Sequence, residues 1–209
     1  MGGTFDPPHI GHLAMAEAVY EKLNLEKVWF IPTGKIQYKD SSETASPQER
    51  LVMTELAVRG NPKFTVEPIE AESGRNSYTS ETLEKLTLLH PDCAFTFIVG
   101  ADSLDYMERW REPEKIFRLC TVAAVNRIGY SMEKIGKKIH DLEQRFDAKI
   151  HIVSMPLIAV SSTEIRERFR NGGSVRYLVR DEVLNYMNEN QIYHKSSHKI
   201  HERKEEFHL

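Results

Sequence analysis

Short runs of β-branched and aromatic residues alternate with stretches whose apolar residues recur every three or four positions, the pattern of an α/β fold with a parallel sheet. Strands are expected at 28–31, 64–69, 94–99, 121–125 and 149–153. Helices are expected between them. Leu13, Ala16, Tyr20 and Leu23 predict one after Pro7-Pro8, and Leu83, Leu86 and Leu89 a shorter one. In Ser46-Pro47-Gln48-Glu49, a capping serine, a proline at the first helical position and a capping-box glutamate precede the apolar stretch 51–58. Met132, Ile135, Ile139, Leu142 and Phe146 predict an amphipathic helix over 131–146, laid on the sheet. Two last helices, 163–171 and 181–190, are separated by Gly172-Gly173, a natural helix stop. Beyond Tyr193 the chain is polar, so 1–194 is expected to be one domain and 195–209 a mobile tail. His194, His198, His201 and His208 gather at that end, where the lack of cysteine partners or a core favours a solvated tail over a metal site.

Composition narrows the class. A chain of 209 residues with 40% hydrophobic residues is long enough for one sizeable core. Its 28 Lys+Arg against 31 Asp+Glu give a net charge of -3, which leaves no global basic field for nucleic acid. No apolar run approaches the roughly 18 residues of a membrane span, and the first residues have neither the basic nor the apolar part of a secretion leader. A myristoylation signal is likewise excluded, because Asp6 stands where Ser or Thr is required. Cys93 and Cys120, flanked by Ala94, Phe95, Leu119 and Val122, are expected to be buried thiols in a reducing compartment, the cytoplasm.

The densest chemistry lies at the start, in Gly2-Gly3-Thr4-Phe5-Asp6-Pro7-Pro8-His9-Ile10-Gly11-His12. His9 and His12 fall in the first turn of a helix, on one face, near free backbone N–H groups that suit a phosphate. Gly11 permits a ligand or another backbone to come close there. The plain alternative makes one histidine a cap and the other a core residue; paired zinc ligands lack the accompanying acid and third ligand. Ser161-Ser162-Thr163-Glu164-Ile165-Arg166 reads either as an ordinary capped helix start or as a second phosphate cradle. Gly100-Ala101-Asp102 follows the most apolar strand, at a carboxyl end where open α/β sheets bind ligands. Trp110, between Arg109 and Arg111, either stacks a planar heterocycle or packs, and 77–82 is either a carboxylate-binding helix start or a capped turn. Neither GxxxxGK[ST] nor GxGxxG occurs.

The phrase from Gly2 to His12 resembles the signature of the nucleotidylyltransferase superfamily, which shares the HxGH motif with class I aminoacyl-tRNA synthetases. The segment from Ser161 to Arg166, after the last strand, resembles the superfamily's second phosphate-binding motif. With Tyr78-Thr79 and Trp110 added, the chain is similar to bacterial nicotinate-nucleotide adenylyltransferases. That likeness continues through Arg50-Leu51-Val52-Met53, Asn126-Arg127-Ile128-Gly129, Ser174-Val175-Arg176-Tyr177-Leu178-Val179 and Asn190-Gln191-Ile192-Tyr193, leaving out only the tail. The resemblance implies a doubly wound, Rossmann-like parallel sheet with C-terminal helices. It implies transfer of the ATP adenylyl group to nicotinate mononucleotide, giving deamido-NAD and pyrophosphate.

By the same resemblance His9 and His12 are the catalytic pair, and Gly3, Thr4, Phe5, Gly11, Gly100, Asp102, Ser161, Ser162, Thr163 and Arg166 complete the ATP site. Lys39, Tyr78, Thr79, Trp110 and Arg127 then take nicotinate mononucleotide, and Mg2+ bridges the ATP phosphates without protein ligands. ATP and the mononucleotide are the expected partners, with no nucleic acid and no membrane; homo-oligomerisation is left open. A nicotinamide mononucleotide or phosphopantetheine acceptor is the alternative within the class, and a nucleotide-binding protein without turnover the alternative outside it. Three departures stand out. Ile36-Gln37-Tyr38-Lys39 replaces a usual Pro-Pro-His-Lys, and Arg75-Asn76 replaces a frequent glycine and proline. The family's first strand has only Met1 before Gly2 here, so that strand is expected to be missing and the chain to lack a few native residues.

Overall fold

The computed structural model describes residues 1–35, 44–126 and 131–194. Two three-stranded parallel sheets are built from β1 (Gly2–Gly3), β2 (Val28–Pro32), β3 (Phe64–Val66) and from β4 (Phe95–Gly100), β5 (Cys120–Asn126), β6 (Ile150–Ser154). Gly2 lies against the Phe97 ring of β4, so the strands follow one another in space as β3-β2-β1-β4-β5-β6. That is the order of a doubly wound nucleotide fold. β1 is two residues long, and its ladder is extended by Met1: the Ile31 N–H donates to the Met1 carbonyl and the Thr33 N–H to the Gly3 carbonyl, both at 2.9 Å.

Helices α1 (Ile10–Lys22), α2 (Pro47–Val58), α3 (Thr79–Leu89), α4 (Pro113–Leu119), α5 (Met132–Phe146), α6 (Ser162–Arg170) and α7 (Asp181–Glu189) cover the sheets. β5 shows why. Val122, Ala123, Ala124 and Val125 are all fully buried, as a parallel strand covered on both faces requires. Successive side chains serve opposite layers. Ala123 and Val125 pack with Met15, Ala16 and Val19 of α1, whereas Val122 and Ala124 pack with Leu83, Ile116, Ile135 and Leu142 of α3, α4 and α5. A third cluster joins Met53 and Ala57 of α2 to Ile165, Val183 and Met187 of the last two helices. Within each sheet the strands run parallel, so Gly3 and Pro32 end at one edge of the first and Gly100, Asn126 and Ser154 at one edge of the second; the site is built on the residues that follow these ends.

Several expectations change in detail. β3 stops at Val66, three residues early: the Glu67 N–H still donates to the Phe30 carbonyl, but that of Ile69, next on the same side, turns to the Glu67 carboxylate. Met132 begins α5 but is 52% exposed, and its sulfur accepts from Asn126 Nδ2 instead of packing. α4 was unanticipated, since seven residues give too little periodicity to read. Cys93 is exposed in the turn before β4, correcting the expectation of two buried thiols. Cys120 is buried, and desolvation pushes its thiol up to about 12. A thiol reagent is therefore expected to modify one cysteine of the native protein, Cys93, with Cys120 reacting only on unfolding. Quantitative labelling of both thiols under native conditions would contradict this. Residues 195–209, with Lys39 and Arg127, lie outside the described residues.

Candidate active site

The first strand leads directly into the start of α1. His9 is the extended residue capping that helix and His12 is its third helical residue. The backbone N–H of His9 donates to His12 Nδ1 at 3.2 Å. An accepting Nδ1 carries no proton, so the neutral His12 ring holds its proton on Nε2 and presents that nitrogen as a donor. The two imidazoles stack with centroids 3.7 Å apart, and Phe5 meets the His12 ring edge-on at 5.0 Å. Gly11 explains how the rings stack. A Cβ there would stand 3.0 Å from Val160 Cγ1 and 3.1 Å from the His9 ring, so the missing side chain leaves room for the His9 imidazole and Val160 to pack against the helix start. Gly11→Ala is expected to push His9 off its partner and lower turnover about tenfold with the fold retained, checked by steady-state rates alongside circular dichroism.

The N–H groups of α1 are less free than its position suggests. That of Ile10 donates to the Leu178 carbonyl at 2.9 Å, and that of His12 to the His9 carbonyl. Further donors are offered by the imidazoles and by a second helix start beside them. Ser161 caps α6 in a reciprocal box with Glu164, leaving Ser162 and Thr163 as first-turn residues whose N–H groups have no partner within the helix. Ser162 Oγ donates to the Pro7 carbonyl at 2.9 Å, tying the second start to the first. Two positive helix ends therefore converge on one cleft. Arg166 stands behind it. Only 7% of its side chain is exposed, its Nη1 donates to the Asp6 carbonyl at 2.8 Å, and it faces the Asp6 carboxylate at 3.4 Å. In this arrangement Arg166 braces the loop, a place unlike the open cradle expected from sequence. Phe5 likewise sits in the core, 1% exposed against Phe30.

Next to the cleft opens a cavity of about 410 Å³, lined by Thr4, Thr33, Lys35, Tyr78, Thr79 and Trp110 among others. Tyr78 is the extended residue capping α3, so this cavity, too, faces a helix start. The Trp110 indole is half-buried and is held edge-on by Phe97 at 6.0 Å. Thr4 belongs to the histidine-bearing loop and also lines the cavity, which joins the two parts. Gly100 ends β4, and the exposed Asp102 folds its carboxylate back over it. The structure thus brings together Gly3, Thr4, His9, Gly11, His12, Ser161 and Ser162 around the cleft, and Tyr78, Thr79 and Trp110 around the cavity.

Three further residues position this site. Asp6 is 1% exposed, and its Oδ1 accepts from the Ala45 N–H at 3.0 Å and from the Tyr193 hydroxyl at 2.6 Å. Arg50, also 1% exposed, donates to the carbonyls of Thr4, Thr33, Gly34 and Ala45, pinning the histidine loop to the end of β2. Glu70 accepts from Thr82 Oγ1 at 2.6 Å beneath the start of α3, and burial raises its carboxyl above the usual range. Composition flagged none of these. The clue available was a charged residue beside a motif, as Asp6 stands beside Pro7-Pro8-His9.

Comparison with known proteins adds a lineage. Residues 1–168 match the cytidylyltransferase-like family. The chain is 41% identical over 192 residues, 92% of its length and 83% of its relative's, to a probable nicotinate-nucleotide adenylyltransferase of Geobacillus thermodenitrificans. It is 38% identical over 193 residues to the probable nicotinate-nucleotide adenylyltransferase of Lachnoclostridium phytofermentans, covering 92% of this chain and 96% of that one. In structure it is similar to the Plasmodium falciparum nicotinic acid mononucleotide adenylyltransferase complexed with NaAD, with a TM-score of 0.75, 20% identity, and 92% and 94% of the two chains covered. That likeness shows the shared fold.

Proposed function

The chain belongs to the cytidylyltransferase-like family, and from that premise we propose that it transfers the adenylyl group of ATP to nicotinate mononucleotide, forming deamido-NAD and pyrophosphate. The single observation that carries the reading is that two helix starts, tied together by the bond from Ser162 to Pro7, adjoin an aromatic cavity that Thr4 of the same loop lines.

The mononucleotide phosphate attacks the α-phosphorus in line while the bond to pyrophosphate breaks. The nucleophile is already ionised at neutral pH, so no general base is needed and catalysis rests on positioning and charge stabilisation. His9 and His12 are assigned to the ATP phosphates, with the Nε2 proton of His12 donated to oxygen as charge develops. Ser161, Ser162 and Thr163 take the pyrophosphate side, Arg166 holds their helix against the loop, and Gly100 and Asp102 meet the nucleoside. Trp110 stacks the pyridine and the start of α3 at Tyr78-Thr79 receives its carboxylate. Lys39 and Arg127 remain assigned to the same substrate. Imidazoles, hydroxyls and N–H groups are donors for phosphate oxygens, so the fitting metal is a hard ion carried by the phosphates themselves, which we assign as Mg2+. Bound there, it would offset phosphate charge. No described helix is long and apolar enough to cross a membrane, and the free thiols of Cys93 and Cys120 support a cytoplasmic assignment.

The experiment is to mix the protein with ATP and each of three acceptors, nicotinate mononucleotide, nicotinamide mononucleotide and phosphopantetheine, and to identify the products by mass. Deamido-NAD formed fastest is the expected result; a faster reaction with either other acceptor would reassign the cavity.

A further inference from the structure

We infer that the Arg111 side chain selects the acid over the amide form of the pyridine mononucleotide, by meeting the ring carboxylate inside the cavity. This inference rests on the function proposed above. Arg111 lines the cavity beside Trp110, the residue assigned to the pyridine face. Its guanidinium carbon lies 4.5 Å over the Tyr78 ring, and its Nη1 stands 3.0 Å from Glu81 Oε1. An aromatic face below and a carboxylate to one side hold the long side chain at the cavity wall. Arginine has five N–H donors in a planar fork, so its pairing with Glu81 leaves others for a second carboxylate.

Charge in the cavity points the same way. Among the described residues lining it, the charged ones are Lys35 and Arg111, and no acid is among them. The proposed substrate carries two anionic groups, a ring carboxylate and a sugar phosphate, at opposite ends. Lys35 follows Thr33 and Gly34 at the end of β2, where its backbone bridges to Asn76, and it brings a second positive charge to the same cavity, left for the phosphate. Arg111, next to Trp110 in the lining and over the Tyr78 ring, suits the carboxylate. A carboxamide would give it a neutral oxygen and an amide N–H facing a cation, losing the charge-assisted bond that the acid makes.

The test compares wild type with Arg111→Gln, Arg111→Ala and Arg111→Lys, measuring kcat and KM separately for nicotinate and nicotinamide mononucleotide at saturating ATP. Arg111→Gln and Arg111→Ala are expected to lower kcat/KM for the acid about tenfold or more, chiefly through KM, and to leave the amide within about twofold, so that the preference collapses. Arg111→Lys is expected to recover part of it. Equal losses on both substrates would show a merely structural side chain, and an unchanged preference would exclude any role; either overturns the inference while leaving the proposed function standing. A wild-type protein that forms neither dinucleotide overturns both.

Discussion

His12→Ala is expected to lower turnover about a hundredfold or more while changing the KM for ATP less than about threefold. Contacts with two residues help to fix His12: the His9 N–H donates to its Nδ1 and the His9 ring stacks on it at 3.7 Å, while Phe5 meets it edge-on at 5.0 Å. None of these holds substrate, so they serve to aim Nε2. A donor already aimed where charge develops strengthens its bond in the transition state without a cost of reorganisation, which raises kcat more than binding. Alanine also removes the acceptor of the His9 N–H at the start of α1, which costs about 1 kcal/mol of stability, so rates are compared well below the variant's melting temperature. Steady-state kinetics with ATP varied at saturating acceptor decide the matter. A rise in KM as large as the fall in kcat would reduce His12 to ground-state binding.

Asp6→Ala is expected to cost about 3–5 kcal/mol of stability and about 10 °C in melting temperature. The carboxylate faces Arg166 at 3.4 Å and accepts from Ala45 N–H and Tyr193 hydroxyl, all buried. Its removal leaves a guanidinium, a hydroxyl and an amide buried with one acceptor fewer. Tyr193→Phe removes one bond and is expected to cost about 1 kcal/mol, and the double variant less than the sum, because both act on one network. Tyr193 adds a pH signature. Burial, first, and the negative Asp6, second, hold its phenol above the ordinary value of 10.0. An acid whose folded pKa is raised contributes stability that is complete below its unfolded pKa and lost as pH rises above it. Urea melts of wild type are therefore expected to weaken above about pH 10, and those of Tyr193→Phe to weaken less. Parallel alkaline losses in the two proteins would contradict the assignment.

Local signals carried far in this chain, and long-range ones did not. The capping boxes at Ser46 and Ser161 have the reciprocal bonds that their spacing requires, because a box closes within four residues. Strands β2 to β6 followed from short apolar runs, and α5 from its Ile135, Ile139 and Leu142 stripe, whereas the two-residue β1 is too short to show a pattern. The bond from Tyr193 to Asp6 spans 187 residues, and no periodicity encodes such a partner. Arg50 reads in sequence as one more charge on a helix, yet it is buried among carbonyls from three segments. Arg166 was legible as a motif residue but not in its direction, since only the packed loop shows that it turns toward Asp6. At Gly11 the residue type was readable and its neighbours were not, because Val160 arrives from the other end of the chain.

The most direct test of the central claim uses ATP labelled at the α-phosphorus, mixed with nicotinate mononucleotide and the wild-type protein, with products separated by chromatography. Label is expected to pass into deamido-NAD, with an equal amount of unlabelled pyrophosphate released. Label recovered as AMP, or left in ATP, would show hydrolysis or binding alone and contradict adenylyl transfer.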